Sequence, residues 1–166
     1  MRPRNTDKEE LVKRTAIRMI VEDGYDGFSM NKLAKSCGIS VATLYIYYKD
    51  KDDLLRRLGV EVSKSFITQT LLGFTPDMHF REGLKKQWEN RARYAINFPT
   101  EVACHEIMRH TPYADYIFEN SIVPFKDAMS SFFCNAVKRG EIVPLSLETY
   151  WSIAYGTLHF LLRFHK

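Results

Sequence analysis

Residues 37–55, CGISVATLYIYYKDKDDLL, place three tyrosines within four residues shortly after a Gly-Ile-Ser turn. Gly38 can adopt the left-handed backbone conformation that ends one helix, and Ser40 is a preferred cap for the next. Leu44 and Tyr48 are four residues apart, so they share one face of this second helix. We predict that this face is buried and that the opposite face exposes hydroxyl groups, followed by lysines.

Two further helices precede this stretch. Ser29 is positioned to cap a short helix that ends at Gly38, and an earlier helix ends at Gly24. This outline is typical of a helix-turn-helix, although helix–glycine–helix connections are common and the spacing alone leaves a purely structural role open. The residues after the turn favour DNA binding, because hydroxyl groups donate to phosphate oxygens and lysines neutralise them.

The two segments FSMNKLAKSCG and GISVATLYIYYKDKDDLL resemble the DNA-binding domain of TetR-family transcriptional regulators over about residues 8–56. One departure is Tyr48, which stands where the family usually has Phe. The resemblance implies an all-helical homodimer whose paired recognition helices read a palindromic operator. It also implies a C-terminal domain that usually binds a small molecule and thereby releases the DNA. The matching residues are Ser29, Ala34, Gly38, Ile39, Thr43, Leu44, Tyr45, Tyr47, Tyr48 and Lys51.

The resemblance implies two kinds of DNA contact. Residues expected to bind phosphates are Thr43, Tyr45, Tyr47 and Lys51. Ser40, Val41 and Ala42 open the recognition helix and are expected nearest to the base edges, where Val41 and Ala42 offer only apolar contacts. Some specificity is therefore expected from DNA shape or from Asn31 and Lys32. Arg2 and Arg4 form a basic arm before the first helix that either reaches a groove or is a solvated tail. The full set of residues expected to contact DNA is Ser29, Asn31, Lys32, Ser40, Val41, Ala42, Thr43, Tyr45, Tyr47, Lys49 and Lys51.

The whole chain reads as helix, because apolar spacing follows three and four and strand-like alternation is absent. We predict an all-α fold with a three-helix helix-turn-helix domain over residues 1–50, a connecting helix over 51–72, and a regulatory and dimerisation domain over 73–166. Helices are expected over 80–97, about 101–110 and about 114–138, with a bend near Pro124. A last helix is expected from near Ser146.

The second half carries aromatic stripes that periodicity alone assigns to a core. The family resemblance favours a ligand cavity there, for a small-molecule effector that the sequence does not identify. Expected ligand-binding residues are Trp88, Arg91, Tyr94, His105, Met108, Phe125, Met129, Tyr155 and His159. If Arg91 or His105 faces the cavity, an anionic or hydrogen-bonding effector fits.

The last helix has two apolar stripes, so it needs two partners: its own domain and, we expect, a second subunit. The family's dimer is usually a four-helix bundle with two C-terminal helices per subunit, and the sequence supplies one. Either the chain is naturally short, or a further helix lies outside this sequence, or the dimer is built differently.

Enzymatic signatures are weak. His105 and His110 of HEIMRH are five residues apart, whereas a zincin needs His-Glu-x-x-His with both histidines on one helix face. The three cysteines form no CxxC pair, and we expect no metal site and no cofactor. No stretch is long and apolar enough for a membrane span, and none resembles a signal peptide, so we expect a cytoplasmic protein.

Three functions are consistent with this sequence. We expect a DNA-binding transcriptional regulator, a repressor released from its operator by a ligand, rather than an enzyme. One alternative is a constitutive DNA-binding protein whose second half only dimerises. The other is a small-molecule carrier in which the helix-turn-helix is vestigial.

Overall fold

The structure is a computed structural model that describes residues 5–164, with the side chains of residues 5, 6 and 147 left aside. The described residues form helices and connecting turns without any strand, which confirms the predicted all-α fold. The helices are α1 (Asn5–Gly27), α2 (Met30–Ser36), α3 (Val41–Tyr47), α4 (Lys51–Thr70), α5 (Phe80–Asn97), α6 (Pro99–Met108), α7 (Ala114–Ser121), α8 (Val123–Lys138) and α9 (Leu147–Phe164).

The predicted helix ends are mostly in place. Gly24 interrupts α1 with a φ of 74°, a conformation that side-chain-bearing residues rarely adopt. The Asp50 carboxylate accepts a hydrogen bond from the Asp53 amide at 2.7 Å and so caps α4. The bend expected near Pro124 is a full break between α7 and α8. Pro124 lies in the first turn of α8, where its missing N–H removes no helical hydrogen bond.

The chain divides into two compact units, and each unit combines two separate stretches of the sequence. Unit 1 comprises residues 1–64 and 100–121, and unit 2 comprises residues 65–99 and 122–166. Residues of α6 and α7 thus belong to the same unit as α1–α3 and most of α4, whereas a single domain was predicted over 73–166. The sequence pattern identifies the apolar face of a helix but not the partner that covers it.

Unit 1 has one continuous core that α6 and α7 help to form. Its Gly59, on α4, lies directly against the side chains of Ile117 and Met108, so a β-carbon at this position has no space. Ser63 and Ser121 exchange a buried hydrogen bond at 2.8 Å. Buried members of the core include Val12, Ala16, Ile20, Phe28, Leu33, Leu44, Leu54, Leu58, Cys104, Met108, Tyr113 and Ile117.

Unit 2 has a core rich in aromatic residues. The ring of Phe132 packs edge-on against Phe74, with the ring centroids 5.0 Å apart. Beside this core, the Glu141 carboxylate accepts hydrogen bonds from Arg139 Nε at 2.8 Å and from the Phe80 amide at 2.6 Å. These bonds, chiefly that from Arg139, lower the pKa of Glu141 to about 2. The carboxylate therefore stays charged and ties the turn after α8 to the start of α5.

We expect Gly59→Ala to destabilise the protein by about 1–3 kcal/mol, because the added methyl group forces Ile117 and Met108 out of their packing. Urea unfolding followed by circular dichroism measures this change. Gly156→Ala on α9 is the matched control, since no atom lies within 4 Å of its β-carbon position. The control is expected to raise stability by about 0.5–1 kcal/mol. Equal effects of the two substitutions would contradict the close approach at Gly59.

Candidate nucleic-acid interface and ligand site

The turn between α2 and α3 is closed by two backbone hydrogen bonds. The Ile39 amide donates to the Ala34 carbonyl at 3.0 Å, and the Gly38 amide donates to the Lys35 carbonyl at 3.2 Å. This pattern is a Schellman motif, which needs a left-handed residue where Gly38 has a φ of 65°. Ile39 packs against the core of unit 1 and thereby fixes the direction in which the chain leaves the turn.

Ser40 starts α3 as predicted. Its hydroxyl accepts a hydrogen bond from the Thr43 amide at 3.1 Å and lies 2.8 Å from the Thr43 hydroxyl. Ser29 caps α2 in the same way through the Lys32 amide at 3.2 Å. Both serines expected at the DNA surface thus also serve the local fold, and the Thr43 hydroxyl is oriented by Ser40.

Helix α3 has one buried and one exposed face. Leu44 and Tyr48 are buried, which confirms their predicted packing role. At roughly 100° per residue, Ala42 and Ile46 lie on the side opposite Leu44. Both are exposed, and the side chain of Ile46 has 78% of its surface accessible. The centre of the outward face is therefore apolar.

Ile46 is a surface residue that the sequence analysis missed. The signal was available, because Ile46 follows Ala42 by four and is two residues from the buried Leu44. Conversely, Val41 and Tyr47 were expected on the outer surface, but they are only partly exposed and pack against the unit 1 core. Tyr45 is exposed, as predicted, with 52% of its surface accessible.

The lysines near this face differ in whether their ammonium groups already donate hydrogen bonds within the protein. Lys51 Nζ donates to the Phe28 carbonyl at 2.9 Å and lies 5.3 Å from the centre of the Tyr25 ring. Lys32 Nζ donates to the Gly27 carbonyl at 3.2 Å. Lys49 and Asn31 are exposed. Because an ammonium group has three donors, Lys32 and Lys51 keep donors beyond these bonds.

Tyr48 lies at the edge of a cavity of about 80 Å³ in unit 1. Burial raises the pKa of its phenol, and the neighbouring Glu9 carboxylate raises it further. The hydroxyl therefore stays neutral among charged neighbours that include Lys13, Arg57 and Glu61. This rim position is the one expected for a tyrosine that replaces a core phenylalanine.

Most of the expected ligand-binding residues belong to unit 2. Trp88, Arg91, Tyr94, Phe125, Met129, Tyr155 and His159 lie there, and all but Trp88 and His159 are buried. His159 is exposed on α9. His105 and Met108 belong to unit 1 instead, and Met108 is part of its core. That these two residues share a ligand site with Arg91 stays a prediction.

Unit 2 also buries polar groups, of which the sequence analysis missed Gln87 and Tyr150. Gln87, one turn before Arg91 on α5, is fully buried, and neither of its amide atoms has a hydrogen-bond partner. The hydroxyl groups of Tyr150 and Tyr155 are also buried without a partner. Unpaired buried polar groups are rare in folded proteins, so this concentration in one core needs an explanation.

Arg2 and Arg4 lie outside the described residues. Within residues 5–164, no helix is long and apolar enough to cross a membrane. The same residues contain no group of three or more His, Cys, Asp or Glu side chains arranged to hold a metal ion.

Comparisons with known proteins agree with this geometry. Residues 12–58 match the family of bacterial regulatory proteins of the tetR type. An HTH-type transcriptional regulator of Haemophilus influenzae is 27% identical over 158 residues, which cover 95% of this chain and 82% of that protein. Further curated relatives match over shorter segments, and the chain spans only 27% to 37% of their lengths.

Solved structures show the same fold. A TetR family transcription regulator from Marinobacter aquaeolei superposes with a TM-score of 0.80 at 28% identity, covering 98% of this chain and 85% of the other. The regulator FadR from Bacillus subtilis, in complex with stearoyl-CoA, superposes with a TM-score of 0.76 at 19% identity. That match covers 93% of this chain and 84% of FadR.

Proposed function

Because this chain is a TetR-family transcriptional regulator, we propose that it is a repressor that binds a palindromic operator as a homodimer and leaves it when a small-molecule effector binds. The relatives are regulators rather than enzymes, and we assign this chain no catalytic activity. It acts where the DNA is, in the cytoplasm. The observation that carries the proposal is the outward face of α3, presented by a turn whose geometry is fixed.

The arrangement on α3 supports DNA reading by two kinds of contact. Ala42 and Ile46 form a narrow apolar ridge that fits the floor of a major groove, where the thymine methyl group is the apolar feature. Hydroxyl groups of Tyr45 and Thr43 lie on opposite flanks of that ridge, where the two phosphate backbones border the groove. Lys49 and Lys51 follow at the end of the helix and add positive charge.

Helix α9 supports homodimer formation. Its unburied side carries Ile153, Phe160 and Phe164, which are 67%, 64% and 79% accessible. Soluble monomers rarely expose such a contiguous apolar row, so we assign this row to contact with a second copy of the chain.

The effector half of the proposal is supported by two observations. FadR of Bacillus subtilis, which shares the fold, was crystallised with stearoyl-CoA. In this chain, unit 2 buries unpaired polar groups in an aromatic core, and ligand sites of small molecules have this mixture of apolar walls and a few polar groups.

Selection of bound DNA from a random pool tests the operator. We expect a palindrome whose half-sites are separated by about one or more helical turns of 34–36 Å, the spacing that paired helix-turn-helix units read. Adding candidate metabolites to the selected complex should identify a compound that weakens binding at least ten-fold. A selected site without two-fold symmetry would contradict the dimer, and a complex that no metabolite weakens would favour constitutive binding.

Tyr45→Phe tests the phosphate contacts. The loss of one hydroxyl donor is expected to cost about 1 kcal/mol, or roughly five-fold in affinity, for operator and unrelated DNA alike. Fluorescence anisotropy at two salt concentrations measures both affinities. Ile46→Ala is the comparison variant, because it removes apolar surface at the centre of the same face. It should change base preference in a repeated selection. If Tyr45→Phe altered base preference and left affinity unchanged, the assignment of the two residues would be wrong.

Phe160→Glu tests the dimer. A carboxylate in an apolar contact between two copies should convert the dimer to a monomer in analytical ultracentrifugation, because burying it unpaired is unfavourable. Phe118→Glu is the matched control, since Phe118 is 59% accessible on α7 and outside the assigned contact. A dimer that persists in Phe160→Glu, or that is lost in Phe118→Glu, would place the contact elsewhere.

A further inference from the structure

Arg91 lies in the core of unit 2 with only 2% of its surface accessible. None of its three guanidinium nitrogens has a hydrogen-bond partner of good geometry, the neutral Tyr155 hydroxyl is close enough to stabilise its charge, and no carboxylate in the described part of the chain acts on it. Four aromatic rings surround it instead. The guanidinium carbon lies 4.3 Å from the Tyr155 ring centre, 5.1 Å from that of Trp151, 5.4 Å from that of Phe66 and 5.5 Å from that of Phe125.

The aromatic rings do not account for a guanidinium at this place. Ring faces attract a cation, but they leave the five N–H donors of arginine without acceptors. Burial lowers the pKa of Arg91, and the nearby Tyr155 and Tyr150 phenols counter this shift. The guanidinium still remains charged, because arginine does not give up its proton in proteins. A buried, charged and unpaired group is unfavourable and calls for an anion.

The polar groups around Arg91 define the anion that fits. Gln87 is buried without a hydrogen-bond partner, and the buried hydroxyl groups of Tyr150 and Tyr155 interact only weakly with each other and with Arg91; all three side chains are neutral. The cluster therefore has one positive charge and several neutral donors, which matches a monoanion. A planar carboxylate pairs with the two parallel N–H groups of a guanidinium and leaves lone pairs for the hydroxyl and amide donors.

We propose that the Arg91 cluster, formed by Gln87, Arg91, Tyr150 and Tyr155, binds the carboxylate group of the effector, and that the effector is a monocarboxylate with an apolar body. The apolar body of the ligand would contact the aromatic rings that surround Arg91. The assignment of this ligand as the effector rests on the proposed function, whereas binding at Arg91 does not. Two of the four rings, Trp151 and Tyr155, are on α9. A ligand bound at the cluster would therefore contact the helix that carries the proposed dimer contact.

Two measurements on the full chain test this site. The first is urea unfolding of Arg91→Met in the absence of ligand. Since the substitution removes a buried charge that lacks a hydrogen-bonded partner and keeps an unbranched, flexible apolar side chain, we expect a midpoint at or above that of the wild-type protein. A lower midpoint would overturn the proposal, because it would mean that the arginine is already satisfied in the free protein.

The second measurement is ligand binding, followed by thermal shift and calorimetry. The compounds are straight-chain monocarboxylates from butyrate to decanoate and phenyl-substituted ones from benzoate to phenylbutyrate. The primary amide of each acid is tested beside it. We expect at least one acid to bind the wild-type protein and its amide to bind at least ten-fold more weakly. Arg91→Lys should weaken binding of that acid at least ten-fold, because an ammonium group cannot form the paired contact. Arg93→Met, which removes an exposed arginine from the same helix, should leave binding unchanged.

The outcomes of the binding measurements distinguish failure of the Arg91 site from failure of the proposed repressor function. If an acid binds through Arg91 but leaves DNA affinity unchanged, the site stands and release by this ligand fails. If a neutral compound releases the DNA while no acid binds, release stands and the carboxylate site is overturned. Equal binding of acid and amide, or equal losses in Arg91→Lys and Arg93→Met, would also overturn it.

Discussion

The left-handed backbone of Gly38 is the constraint on which the DNA-reading part of unit 1 depends. It allows the Ile39 amide to turn back to the Ala34 carbonyl, which ends α2 and sets the direction of α3. From that direction follow the burial of Leu44 and the exposure of Ala42 and Ile46. An alanine at position 38 would have to adopt a conformation that costs roughly 1–2 kcal/mol for a residue with a β-carbon.

Local signals made much of this fold predictable. Caps, glycines and apolar spacing act over four or five residues, and they placed α5 and the starts of α3, α4 and α9 correctly. The buried roles of Leu44 and Tyr48 follow from the same spacing. Partner choice between distant helices has no such local signal. For that reason the packing of α6 with unit 1, and with it the location of Met108, could not be read from the sequence.

Sequence patterns also do not predict which side chains interact with one another. Arg91 was a candidate because of its residue type in an aromatic helix, but no sequence pattern indicates that the described part of its core contains no carboxylate. Gln87 was missed because a lone glutamine on a helix is ordinarily exposed. Among residues 5–164, the buried side-chain polar atoms without a hydrogen-bond partner of good geometry all belong to unit 2.

The apolar centre of α3 bears on how the proposed regulator would be controlled. Contacts of Ala42 and Ile46 with thymine methyl groups discriminate less than paired hydrogen bonds to bases, which contribute about 1–3 kcal/mol each. Operator choice would then depend more on DNA shape and on the spacing between the two copies of α3. A protein that recognises spacing is sensitive to small changes at its dimer contact. If the proposed α9 contact sets the spacing between the two copies of α3, a change at that contact would lower operator affinity without any change in α3 itself.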